Sequence, residues 1–341
     1  MKRIILSFLA LCYVVGFVCS QGCPPAATST TTVTFTPNSS TVLSGAFSVS
    51  ATKQVYFSKG NLQFNPAYNS WRFAEHQYDI IGNAAGNNTS SGSRPSVNAW
   101  MDLFGWGTSG YDNTYVDPTA TMFQPWQSSG AYTHYGPSTD ILAAGDSWSD
   151  EDYANNYDWG VYNFVAGVEK GLRTLTLAEW IYLLSTRTYS TKNAKDLSGL
   201  ATVFGIRGII LLPDTWDWST TALDEAAKAA GFDWLSRREA SKIAYANNVL
   251  ENTDAGHALW DAMENAGAVF LPAAGYRDGT TLSYTNEFIV YWTSTVQSGD
   301  NAYRVNFFCG GDYDYADITT TYIGRHRGLA VRLVKDVPVA P

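Results

Sequence analysis

Residues 291–334 read YWTSTVQSGDNAYRVNFFCGGDYDYADITTTYIGRHRGLAVRLV, and the way this stretch divides decides the fold. Trp292-Thr293-Ser294-Thr295 opens the unit, and residues 302–308 and 328–334 alternate β-branched or aromatic residues with others, which predicts two core strands. Their alternation turns Tyr303, Val305, Phe307, Leu329 and Val331 inward. Residues 309–327, between the strands, have a different character: Asp312, Tyr313, Asp314, Tyr315 and Asp317 precede the run Thr319-Thr320-Thr321. A loop of that length inside a compact domain is functional or disordered. Tyrosines supply rigid contact area and small polar residues adapt, so the composition is that of a recognition surface. The expectation is that the ligand is met here. The competing reading is that Tyr313, Tyr315 and Tyr322 fold back and cover the core.

The 341 residues are 45% apolar and 14% aromatic, enough for a substantial core in one large domain or two small ones. Twelve Trp and 21 Tyr stand beside only 22 Lys+Arg and 31 Asp+Glu, a profile that suits an extracellular, loop-rich protein rather than a cytosolic enzyme. The net charge of −9 argues against nucleic acid and anionic membranes, both of which select basic surfaces. Lys2 and Arg3 precede an apolar run over 4–18, which reads as a secretory signal. Two processing routes follow. Cleavage after residue 20 releases the chain, whereas removal of 1–22 leaves Cys23 as an acylated residue and the protein as an outer-membrane surface lipoprotein. A membrane is met only through that anchor. Cys12 and Cys19 lie in the signal, so Cys23 and Cys309 remain. They form one disulfide, or Cys309 is a small apolar residue at a strand end. His76, His134, His257 and His326 are too scattered for a metal site.

Residues 21–46 are rich in Thr, Ser and Pro and read as a spacer; 47–337 read as one domain. Val55-Tyr56-Phe57 and Leu62-Gln63-Phe64 flank a Gly60-Asn61 turn and predict a hairpin. Residues 83–98 are loop, 101–111 pack aromatics between glycines in an irregular segment, and 112–158 lack periodicity. A helix is expected over 176–187. Thr176 and Glu179 make a capping box, and Leu177, Trp180, Ile181 and Leu184 form one stripe. A strand over 205–212 precedes a helix over 222–230 that stops at Gly231. Residues 234–250 are ambiguous. A last helix over 255–265, capped by Asp254, leads into a strand over 268–271. Few helices, short and mostly antiparallel strands and extensive loops make an α+β domain.

Two stretches resemble a known family. Leu172-Arg173-Thr174-Leu175-Thr176-Leu177-Ala178-Glu179-Trp180 resembles a signature of the formylglycine-generating (sulfatase-modifying factor) domain, and Gly328-Leu329-Ala330-Val331-Arg332 resembles its closing strand. More widely, FSKGNLQF, WRFAE, YDIIG, DLFGWGTSGY, DWGVYN, GAVFLPAAGYRDG and NAYRVNF, in this order, resemble secreted C-type-lectin-fold proteins of Bacteroidetes. The resemblance spans about residues 47–335 and implies a C-type-lectin-like fold with paired terminal strands, two main helices and long loops on one side. Some proteins of that fold are diversified by retroelements in their final strands and the loop between them. Carried to this chain, that site comprises Arg304, Asn306, Phe308, Tyr313, Tyr315, Thr320, Tyr322, Arg325 and His326. It would bind a protein or carbohydrate on another cell or host surface.

The chemistry of the residues points away from catalysis. Formylglycine-generating enzymes use a pair of cysteines that bind copper and exchange with substrate, and Cys309 stands alone in the C-terminal half. The histidine cluster of related iron-dependent sulfoxide synthases is missing too. Hydrolase elbows, zinc helices and phosphate loops are not found. A glycosidase needs only two well-spaced carboxylates, which leaves that alternative open. The calcium motifs of sugar-binding C-type lectins are absent, so no cofactor is expected. Two oxygen-rich loops, 146–152 and 312–317, are either solvated carboxylates or a calcium site. The expected protein is a non-catalytic, exported ligand binder. The alternative is an envelope or fimbria-associated structural protein with no discrete ligand site.

Overall fold

The first strand, Val42–Ser48, runs antiparallel to Gln54–Ser58, which in turn pairs with the last strand, Leu333–Asp336. Arg173–Thr174 closes this four-stranded sheet on its far side. In this computed structural model residues 40–341 make one unit. The residues described are 41–65, 68, 70–82, 87, 99–109, 158–165, 171–190, 192–193, 197–232, 248–278, 281–298, 301–308, 315–325 and 327–338. Cys23, Cys309 and most of 83–98, 112–158 and 234–250 lie outside them. The first strand begins at Val42, inside the stretch that reads as spacer.

A second sheet has the order Val249–Leu250, Ser198–Val203, Ile206–Leu211, Val269–Pro272. Its first pair is parallel and the others antiparallel. The third sheet is an antiparallel meander of Phe288–Ser298, Asn301–Phe308 and Tyr315–Gly324. Among the described residues the architecture is thus α+β, with mostly antiparallel strands and few helices. None of the described helices is long and apolar enough to cross a membrane.

Local expectations change in several places. Gln54–Ser58 and Leu62–Asn65 do not form a hairpin. Both edges of the first are occupied, and the second pairs with Ser70–Phe73. Non-local pairing overrides the turn signal because the chain leaves Gly60 against Ala74, whose amide donates to the Asn61 carbonyl (2.8 Å). The helix after Thr176 holds its capping box: Thr176 Oγ1 accepts from the Glu179 amide (3.1 Å) and Glu179 Oε2 accepts from the Thr176 amide (2.9 Å). Only Leu177–Ile181 is α-helical, and Tyr182–Thr186 continues as a wider π turn. The wider turn shifts the stripe, burying Trp180, Leu183 and Leu184 and leaving Ile181 exposed.

The two longer helices among the described residues, Thr221–Ala229 and Asp254–Asn265, fall where expected, and a short one, Trp159–Tyr162, is added. The cap of the second is Thr253, whose side chain accepts from the Gly256 amide, rather than Asp254. Gly267 ends it with φ +93° and meets Gly45 so closely that a Cβ on Gly45 would stand 2.6 Å from the Gly267 carbonyl oxygen.

Among the described residues three clusters form the core. Phe47, Phe57, Trp180, Tyr291, Phe307 and Val334 join the terminal sheet to one face of the meander. Phe64, Trp71, Phe104, Trp106, Trp292 and Val331 pack on its other face. Leu212, Leu223, Trp260, Met263 and Phe270 lie between the second sheet and its helices. Burying each such side chain contributes about 1.5–3 kcal/mol. Reciprocal indole bonds fix the irregular segment 101–109 to the meander: Trp106 Nε1 donates to the Thr293 carbonyl (2.8 Å), and Trp292 Nε1 to the Phe104 carbonyl (2.7 Å).

Candidate binding pocket on the C-terminal meander

The stretch that reads as a loop over 309–327 is largely a strand. Tyr315–Gly324 pairs with Asn301–Phe308, setting Arg304 opposite Thr321, Tyr303 opposite Tyr322 and Val305 opposite Thr320. Thr319-Thr320-Thr321 supplies the β-branched residues that a pleated ladder favours, and this preference outweighs the polarity of the segment. Residues 328–330 make only isolated bridges, and the final strand starts at Leu333.

The expected burial holds for Val305, Phe307, Leu329 and Val331, but Tyr303 is only half-buried. It meets Tyr322, 55% exposed, edge to face with ring centroids 6.4 Å apart. The alternate face of the Asn301–Phe308 strand is not an open reading surface. Val290 and Trp292, directly across from Asn306 and Arg304, are fully buried. Asn306 is itself 7% exposed and serves as a structural link: Arg304 Nε donates to Thr321 Oγ1 (3.1 Å), whose hydroxyl donates to Asn306 Oδ1 (3.0 Å).

Arg325 is a core residue, at 1% exposure, with its Cζ 5.7 Å from the centroid of the Trp106 ring. Its neighbours in the chain do not reveal this, because Trp106, which packs against it, lies more than two hundred positions earlier. Phe308, Tyr315 and Thr320 occupy strand positions, with Phe308 opposite Phe288 and Tyr315. Tyr313 and His326 lie outside the described residues, as does the lipidation candidate Cys23.

Of the predicted residues, Arg304 opens onto a cavity. It is about 310 Å³ and is lined by Tyr276, Tyr284, Phe288, Arg304 and Arg327. Tyr276 stands at the start of a short hairpin, Tyr276–Asp278 with Thr281–Ser283. That hairpin is joined to residue 328 by paired backbone hydrogen bonds, the Arg277 amide donating to the Gly328 carbonyl and the Gly328 amide to the Arg277 carbonyl, both 2.9 Å, which set Arg327 beside Tyr276. The turn after the hairpin holds Tyr284 (φ +58°) and Asn286 (φ +64°) in the left-handed region. Such conformations persist only where surroundings enforce them, and they concentrate at functional sites. Here the enforcing contacts are visible: Asn286 Oδ1 accepts from the Arg207 amide (2.6 Å) and its Nδ2 donates to the Gly205 carbonyl (3.1 Å).

The three rings form an aromatic basin. Centroid separations are 5.8 Å for Tyr276–Tyr284, 6.3 Å for Tyr276–Phe288 and 6.2 Å for Tyr284–Phe288. Both guanidinium groups lie on its walls, Arg304 Cζ 5.5 Å from Phe288 and Arg327 Cζ 5.3 Å from Tyr276. Arg327 pairs with Asp278 at 3.1 Å. Arg304 has no carboxylate partner among the described residues. Burial, and secondarily Arg327, pushes its guanidinium down to about 10, with Tyr276 opposing. It stays cationic at neutral pH, and the direction of the shift means that an arriving anion would relieve an electrostatic cost.

Arg327 belongs to the stretch 309–327 that reads as a recognition surface, whereas Tyr276, Tyr284 and Phe288 escaped sequence reading; they come from the preceding hairpin, the turn after it and the start of the first meander strand. The available signal was Asp278-Gly279 and Asn286 marking two turns among aromatics, which place tyrosines beside the first meander strand. A larger cavity, about 620 Å³, lies near Trp216, Leu223 and Asp261. Its Asp217 already accepts from the Ser219 amide (2.9 Å) and hydroxyl (2.8 Å), so it lacks the convergent charge of the smaller one. Among the described residues no group of His, Cys, Asp and Glu is placed to hold a metal. The side chains of both acidic loops lie outside them. Comparison with protein families, with curated proteins and with solved structures gave no match.

Proposed function

We propose that this protein is a non-catalytic binding protein, exported and either released or held at the outer surface by an acyl group on Cys23. In this reading it recognises a protein or glycan on another cell or host surface through the region around Arg304 and Tyr322. One observation carries the proposal: Arg304 is drawn into an aromatic basin without a carboxylate partner among the described residues. A half-buried cation with no described counter-charge is unfavourable for folding alone, and perturbed groups in clefts mark functional sites.

The C-type-lectin-like topology belongs to the same reading. It is supported by the pairing of the last strand with Gln54–Ser58 and by the capped Glu179-Trp180 helix. Retroelement diversification of the meander is part of the proposal too, since exposed Tyr322 and half-buried Arg304 stand on a ladder whose neighbours fix their positions. The test is the full chain on arrays of glycans and host surface proteins. A specific, saturable hit supports the proposal, and uniform absence of binding would favour a structural envelope protein.

A further inference from the structure

We infer that the basin beside Arg304 takes a pyranose ring carrying an oxyanion, a carboxylate or a sulfate ester, at the end of a glycan. This rests on the binding reading above and names the ligand of that site. Size is the first argument. At about 310 Å³ the cavity sits at the small end of ligand sites, which run from roughly 300 to 1,000 Å³, and so suits one ring rather than an extended chain.

Its walls are the second argument. Tyr276 and Tyr284 are tilted by 32° to one another while Phe288 stands at 71° and 67° to them. Three aromatic rings in different orientations thus line the cavity, an apolar surface that suits the C–H faces of a sugar. The exposed Tyr284 brings a phenol that can hydrogen-bond a ring hydroxyl.

Charge is the third. Asp278 offsets Arg327, and no described carboxylate offsets Arg304, so the basin is left with a net cation. Arg304 is also oriented. Its Nε is committed to Thr321, which leaves the two terminal nitrogens as a planar fork. Such forks match the two oxygens of a carboxylate or sulfate with parallel hydrogen bonds.

The whole molecule carries a net charge of −9, which disfavours extended polyanions at long range but not a single oxyanion within the screening length. A peptide fits less well. Peptides add to strand edges or fill long grooves, and among the described side chains of the outer strand, residues 321–324, none lines the basin.

Calorimetric titration of the full chain with glucuronate, glucose 6-sulfate, glucose and N-acetyltyrosine tests this. The expected result is binding of glucuronate or glucose 6-sulfate at least tenfold tighter than glucose. The tighter of the two identifies the natural oxyanion. Arg304→Gln should weaken that binding at least tenfold without lowering the thermal midpoint, and Tyr284→Ala should weaken anionic and neutral sugars alike. Equal affinity for glucose, tighter binding of N-acetyltyrosine, no binding of either anionic sugar, or an unaffected Arg304→Gln would each overturn the inference. The two levels separate cleanly. If Arg304→Gln abolishes array capture although neither anionic sugar binds, the ligand class is wrong and the binding surface stands. If Arg304→Gln and Tyr322→Ala both leave capture intact, both fall.

Discussion

The Thr321 hydroxyl lies between Arg304 and Asn306, accepting from the Arg304 Nε at 3.1 Å and donating to the Asn306 side-chain Oδ1 at 3.0 Å. A single hydroxyl thus both aims the cation of the basin and satisfies a buried amide of the strand. Thr321→Val keeps the shape and removes both bonds. The buried Asn306 oxygen then loses its donor, for a loss of about 1–3 kcal/mol in urea unfolding. Ligand affinity should also drop, because Arg304 is no longer held. A stability change within experimental error would show that the relay is not formed in solution.

Asp214 carries a heavier structural role. Its Oδ2 accepts from the Ser48 amide (2.8 Å), the Ser48 hydroxyl (2.6 Å) and Gln54 Nε2 (2.8 Å), while its Oδ1 faces Arg187 Nη1 at 3.2 Å. Both partners of that ion pair are buried, and burial pushes Arg187 down to about 10 despite Asp214. Removing the carboxylate leaves an uncompensated cation in the core. Asp214→Ala is expected to lose about 3–5 kcal/mol, measured by denaturant unfolding, whereas a loss under about 1 kcal/mol would contradict the pairing.

Asp102 gives the pH dependence. It is fully buried, accepting from the Ile81 amide (2.9 Å) and from Asn87 Nδ2 (2.6 Å). Burial raises it above its usual 3.8, and its hydrogen bonds and Arg277 only partly offset this. The folded state therefore binds this proton more tightly than the unfolded chain, and the group's contribution to stability grows as pH falls toward 3.8. Asp102→Asn cannot titrate. The stability of the native protein relative to Asp102→Asn should increase between pH 7 and pH 4, followed by urea midpoints at each pH. A difference that stays flat or shrinks would be the wrong sign.

Two glycines separate steric from conformational effects. Gly45→Ala drives a methyl to 2.6 Å from the Gly267 carbonyl oxygen and 2.8 Å from Pro213 Cβ, and should destabilise by about 1–3 kcal/mol. Gly231→Ala meets nothing within 4 Å and is strained only by φ +64°, so about 1 kcal/mol is expected. Thermal midpoints that fail to rank Gly45→Ala below Gly231→Ala would refute the close crossing.

Local signals were legible wherever one segment contained all of its own information. The Thr176–Glu179 capping box, the stop at Gly231 and the apolar strand Ile206–Leu211 could be read directly. What escaped reading depends on distant partners. Gln54–Ser58 gives up its apparent hairpin because the last strand takes its edge. Arg325 looks like a surface cation until Trp106, more than two hundred positions earlier, covers it. The segment 309–327 reads as loop because its polarity hides a threonine ladder that forms only against Asn301–Phe308. Among the candidate ligand residues, Arg304 and Tyr322 were legible as polar or aromatic members of strand patterns. Tyr276, Tyr284 and Phe288 were not, since the preceding hairpin, the turn after it and the first meander strand each deliver one of them.

In the proposed function, partners are read through the basin and its rim. The most direct measurement is the affinity of the full chain, against that of Arg304→Gln with Tyr322→Ala, for whatever partner the arrays of glycans and host surface proteins identify. Arg304 and Tyr322 sit on the same ladder, and Tyr322 is largely solvent-exposed, so the double variant should keep the native thermal midpoint to within a few degrees. The predicted result is an affinity at least a hundredfold weaker with unfolding unchanged. Undiminished capture by the well-folded double variant would contradict the claim.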